Sequence, residues 1–209
     1  QEIGIKKSNL LGVYHRKNYK IDRDNAFNDF EKIGDFKIYG KRYEDDFASM
    51  YDLRHNEGWY KIHTSHYLDY ITSVCNLVFE SSLNDPMQHP SEKLIKCLLF
   101  SKLNIFFMFY SSPSLIIKLY DSGFWFLNFN FIDFDELKKC KEEKQNWMVH
   151  DSITDTIKYL NNLFKKHNDL DLVQKELEKL YKPKLEKNYN LFFEILNNKD
   201  ISKNVLDFI

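Results

Sequence analysis

The sequence predicts an all-α protein, an antiparallel multi-helix bundle or an irregular helical array, in a single helical domain over residues 1–209. Three observations predict it. Apolar residues recur three and four positions apart through most of the chain, the spacing that lays them along one face of a helix. Only 6 glycines and 4 prolines interrupt the 209 residues, so elements should be long and breaks few. Hydrophobic residues make up 43% and charged residues 29%, enough apolar surface for a substantial core and too much for a disordered chain.

The elements follow in order. Asp22 is placed to cap a first helix reaching Ile33, with Ala26, Phe27, Phe30 and Ile33 on one face and Gly34 just past its end. A second helix is expected over residues 40–55, and a third over 59–83 with an apolar stripe wide enough for burial on two sides. Residues 84–90 contain Asp85-Pro86 and His89-Pro90 and read as a loop. That loop and residues 132–135 are the two points at which the domain could subdivide. Ser91 should cap the next helix.

Residues 94–110 are the most apolar stretch and are expected as a buried helix, with Leu99 and Phe106 in the core. A turn at Ser111-Ser112-Pro113-Ser114 leads to a helix over 115–120. Residues 124–131 alternate loosely between apolar residues and Asn128 and Asn130, so a short β element near 124–132 is the one strand candidate, with helix as its alternative. Asp133 or Asp135 should start a charged helix reaching about Trp147, and Asp151 or Ser152 another reaching Asn168. Two amphipathic helices over 170–181 and 185–197 should part at Pro183, with a short tail helix over 201–208.

Charge and composition narrow the function. Thirty basic residues stand against 31 acidic ones, a net charge of −1, which provides no long-range field for holding a polyanion. The basic runs Lys6-Lys7, Lys138 to Lys144 and Lys165-Lys166-His167 are short and interleaved with acids, so they read as solvated helix faces, and no nucleic acid is expected as partner. Lys, Asn, Ile, Phe and Tyr abound while alanine occurs only at Ala26 and Ala48, a bias toward AT-rich codons that points to a low-GC organism and weakens arguments from aromatic content. Cys75, Cys97 and Cys140 are odd in number and widely spaced, which fits small buried hydrophobes in a reducing, cytoplasmic setting. The chain opens at Gln1, and a removed N-terminal signal is compatible with that start.

No nucleophile elbow, phosphate loop, dinucleotide fingerprint or His-Glu-x-x-His is present, so no catalytic residue and no cofactor is expected. The leading expectation is therefore a protein–protein interaction module, in the form of a cytoplasmic immunity, adaptor or effector protein that binds another protein. Glu44, Asp45 and Asp46 are its candidate partner-binding patch, since consecutive carboxylates on a helix diverge and rarely share one ion. The enzyme alternative is a metal-dependent hydrolase using His63, His66 and Asp69, which recur at every third residue near His55 and Glu57. Against it, helical pairs that share an ion are usually four apart, and no fourth ligand is evident. A third alternative is a membrane-associated protein using residues 94–131 as an apolar hairpin. Lys102, Asn104 and Pro113 within that stretch favour a buried core segment, with no membrane partner.

Overall fold

The structure, a computed structural model, describes residues 6–14, 21–33, 37–39, 71–80 and 92–197. Most described residues are helical, as the periodicity predicts, but they surround a four-stranded sheet that the periodicity does not. The strands are β1 (Asn9–Tyr14), β2 (Lys37–Tyr39), β3 (Ser73–Phe79) and β4 (Phe106–Tyr110), in the order β2-β1-β3-β4. Every pairing is parallel, with Val13 beside Leu77 and Leu77 beside Met108.

The sheet corrects the all-α expectation, and the reason is physical. A parallel strand covered on both faces carries no polar alternation, so its sequence is a continuous apolar run that a buried helix could equally present. All seven residues of β3 are buried, as are Phe106, Phe107, Met108 and Phe109 of β4. Both segments were expected as helix. The apolar run over 94–110 is in fact broken in two. Helix α2 (Glu92–Phe100) runs into a 3-10 turn (Ser101–Leu103) that ends at Asn104 in the left-handed region, φ 54°, and β4 begins two residues later. Asparagine tolerates that conformation better than most residues, which makes Asn104 the stop signal.

Helices cover both faces. On one face Leu11, Val13, Cys75, Leu77, Phe79, Phe106 and Met108 pack against α1 (Ile21–Glu31) and the two long helices α5 (Glu142–His167) and α6 (Leu170–Asn197). On the other, Val78, Phe107 and Phe109 pack against Leu94, Cys97 and Leu98 of α2 and Leu115, Ile116 and Leu119 of α3 (Pro113–Asp121). Burying one such side chain contributes about 1.5–3 kcal/mol. The same buried segment rules the apolar hairpin into the core, and no described helix is long and apolar enough to cross a membrane.

Helix signals in the C-terminal half hold in part. Ser112 caps α3, accepting from the Leu115 amide at 3.4 Å, with Pro113 in the first turn. Asp133 caps the short α4 (Phe134–Leu137) through the Glu136 amide at 3.0 Å. The strand candidate near 124–132 is instead a 3-10 helix (Leu127–Phe131). Asp151 and Ser152 cap nothing, because α5 runs through them for 26 residues; Ser152 is buried and its hydroxyl donates back to the Val149 carbonyl at 2.7 Å. Likewise Pro183 sits inside the 28-residue α6 and does not divide it, although it removes one amide from the ladder. Asn168 (φ 50°) turns the chain between α5 and α6, and Asp169 accepts from the Asp171 and Leu172 amides at 2.8 and 3.0 Å to start α6. Lys166 and His167 both pair with Glu176 across this turn, which sets the two helices side by side in opposite directions.

Candidate functional site at the carboxyl edge of the sheet

The strand order positions the site. From β1 the chain moves outward to β2 on one side, then returns to place β3 on the other side of β1 and β4 beyond it. Crossovers that run in opposite directions from the centre leave a crevice at the carboxyl ends of the two central strands, where open parallel sheets hold their ligands. In this chain those ends are Tyr14 and Phe79, and the described residues gathered beside them come from β3, β4, α1 and α5.

Glu80 follows β3 directly. Its amide continues the ladder by donating to the Tyr110 carbonyl at 2.9 Å, and the residue is only 2% exposed. Tyr110 ends β4 and leads into the buried Ser111 and Ser112 at the start of α3. Because side chains alternate along a strand, Phe79 and Glu80 leave opposite faces of the sheet at this edge. Phe79 lies 5.4 Å from the Tyr110 ring, and both meet Phe30 of α1, at 6.2 and 5.6 Å.

His150 of α5 completes this aromatic wall. Its ring stacks on Phe30 at 4.6 Å, stands edge-on to Tyr110 at 6.2 Å and meets Trp147 at 5.9 Å. Burial among these rings holds the imidazole pKa below its ordinary value, and the charges of Asp29 and Asp151 offset this only in part. The neutral ring can donate from one nitrogen and accept at the other. On the Phe79 face the edge therefore offers an aromatic wall, a neutral imidazole and a phenol, while the buried Glu80 lies on the opposite face. This is the composition of a site for a small polar molecule: mostly apolar walls with a few fixed polar groups.

Glu44, Asp45 and Asp46, and likewise His55, Glu57, His63, His66 and Asp69, lie outside the described residues. Among the described residues, no group of three or more His, Cys, Asp or Glu side chains is placed to hold a metal ion. Cys75 and Cys97 are buried, and burial pushes the Cys75 thiol pKa up. The basic runs behave as solvated faces where they are described: Lys138 pairs with Asp121 at 2.5 Å and Lys144 with Glu136. Lys7 differs, because its ammonium is partly buried and donates to the carbonyls of Ile71 and Ser73 at 2.9 and 3.1 Å, with its pKa lowered by desolvation.

Glu80, Tyr110 and His150 were not candidates in the sequence. The available signal was local: an apolar run ending in Tyr110-Ser111-Ser112-Pro113 is a strand, a turn and a capped helix start, which is the carboxyl edge of a parallel unit. No family model, no curated protein and no solved structure matches this chain. The described residues therefore define the chain by architecture alone, as a mostly helical structure around a small parallel sheet covered by helices on both faces.

Proposed function

We propose that this chain is a small-molecule-binding α/β domain whose site lies at the carboxyl edge of the sheet, with Tyr110 and His150 as its polar groups and the buried Glu80 supporting the edge from the opposite face. The observation that supports it is the strand order β2-β1-β3-β4, because open parallel sheets hold their ligands at the carboxyl ends where that order reverses, and Tyr110 and His150 lie at this edge. Tyr110 and His150 present both a flat apolar surface and hydrogen-bonding atoms, so a ligand with a planar polar ring suits the edge. The test is a thermal-shift screen of the purified chain against small polar metabolites. Compounds that bind should raise the melting temperature of the wild type and lose that effect in His150→Ala and Glu80→Gln. A screen without binders, or binders indifferent to both substitutions, contradicts the proposal.

Protein binding is the second reading. It draws on Trp147, which is 60% exposed on α5, since exposed tryptophans often anchor interfaces. In that reading the acidic patch Glu44 to Asp46 would meet a basic partner, and the chain would act as an adaptor, effector or immunity protein. Trp147→Ala would then abolish a stoichiometric complex without changing the melting temperature.

A further inference from the structure

A cleft lies away from the carboxyl edge, between the end of α3 and the middle of α6, with a volume of about 430 Å³. This is within the usual size range of small-molecule pockets. Its walls include Tyr120, Gly123, Trp125, Lys184 and Lys187. We infer that this cleft binds a small anion attached to a flat ring, a nucleoside monophosphate being the chemical type, with Trp125 beside the ring and Lys184 and Lys187 on the anionic group.

Trp125 is held in place before any ligand arrives. Its amide donates to Asn188 Oδ1 at 2.8 Å, its carbonyl accepts from Asn188 Nδ2 at 2.5 Å, and its indole N–H donates to Asn130 at 3.2 Å. Tyr181 stacks on it at 5.2 Å. Tyr120 is fixed in turn by stacking on Phe134. A ring wall ordered in advance loses little entropy on binding.

The charges favour an anion. Among the described residues neither Lys184 nor Lys187 pairs with a carboxylate. Asp121, the one acid lining the cleft, is occupied by Lys138 at 2.5 Å. Lys184 donates to Asn130 at 3.1 Å and lies 5.0 Å from the Trp125 ring centre. That bond uses one of its three donors. Partial burial lowers its pKa, so an incoming anion would relieve an incompletely solvated charge.

The negative end of α3 does not oppose this. The Gly123 amide donates to the Tyr120 carbonyl at 2.9 Å and the Phe124 amide to the Leu119 carbonyl at 3.0 Å, so the last turn satisfies its own acceptors. This closure requires the positive φ of 87° at Gly123, and a Cβ there would approach Lys187 Nζ to 3.6 Å, on the floor of the cleft.

The experiment is calorimetric titration of the intact chain with AMP, with adenosine and inorganic phosphate as half-ligands. AMP should bind saturably and weaken as salt rises. Lys184→Gln/Lys187→Gln should weaken it at least tenfold, and phosphate alone should bind far more weakly than AMP. His150→Ala should leave the affinity unchanged, which separates this cleft from the carboxyl edge. Both lysines are exposed, and an unchanged melting temperature would show that the double variant keeps its fold. Absence of AMP binding, binding indifferent to the lysine substitutions, or phosphate binding as tightly as AMP would overturn the inference. If the double variant unfolds, the Trp125 indole signal of the wild type decides: a shift on AMP addition supports the inference, and no shift overturns it.

Discussion

The side chain of Asn128 hydrogen-bonds twice to the backbone of Phe109, accepting from its amide at 3.0 Å and donating to its carbonyl at 3.3 Å. Among the described residues β4 is the edge strand of the sheet, so Phe109 presents backbone groups that no further described strand pairs. Asn128 supplies one residue's share of that missing strand, and its amide nitrogen also reaches Ser152 of α5 at 3.3 Å. The primary amides of asparagine and glutamine carry a carbonyl acceptor and an N–H donor, as a peptide group does. The contact protects the edge from pairing with another chain and ties it to the helix beside it.

Asn128→Ala should therefore cost about 2–4 kcal/mol, because it leaves a buried donor and a buried acceptor of Phe109 unsatisfied. Asn128→Asp should cost at least as much, since it loses the donor and adds a charge at a fully buried position. Urea unfolding of the variants measures both, and a change under about 0.5 kcal/mol for either would mean the edge is satisfied in another way.

Leu99 and Phe106 looked equivalent as members of one buried helix, and the structure separates them. Phe106 is fully buried in β4 while Leu99 is 40% exposed on α2. Phe106→Ala should cost about 3–5 kcal/mol from lost burial and a cavity, whereas Leu99→Ala should cost under about 1 kcal/mol. Equal costs would restore the single-helix reading of residues 94–110.

Acid should weaken the fold through His150. Its folded pKa lies below its ordinary value of 6.5, so the unfolded chain binds the proton more readily. Its contribution is complete above about pH 6.5 and is lost as the pH falls from there through the folded pKa. His150→Gln should flatten that part of the stability profile between about pH 7.5 and 5, read from melting temperatures. An NMR titration of the ring that placed its pKa above 6.5 would reverse the sign and contradict the packing described here.

What the sequence conveyed and what it hid divide along one physical line. Signals that act within a few residues were legible: the α1 stripe of Ala26, Phe27 and Phe30, the turn before α3, the helix start at Asp133 and the helix end at Asn168. Signals that depend on what lies across space were not. β3 and β4 are apolar on both faces because helices cover both, and nothing inside Ser73–Phe79 or Phe106–Tyr110 records that. Ser152 resembles a cap in sequence, yet its neighbours Val149 and Ile153 bury it in mid-helix. The candidate site was hidden for the same reason, since Glu80, Tyr110 and His150 come from three segments that meet only when the strands pair in parallel.

That pairing carries the whole account, and interstrand nuclear Overhauser effects test it most directly. Parallel pairing predicts contacts between the Val13 and Leu77 backbones and between the Leu77 and Met108 backbones, with weak sequential amide–amide effects through Ser73–Phe79 and Phe106–Tyr110. Strong sequential amide–amide effects through those two segments, with no contact between Leu77 and Met108, would mean they are helices and would remove the crevice on which the proposed site depends.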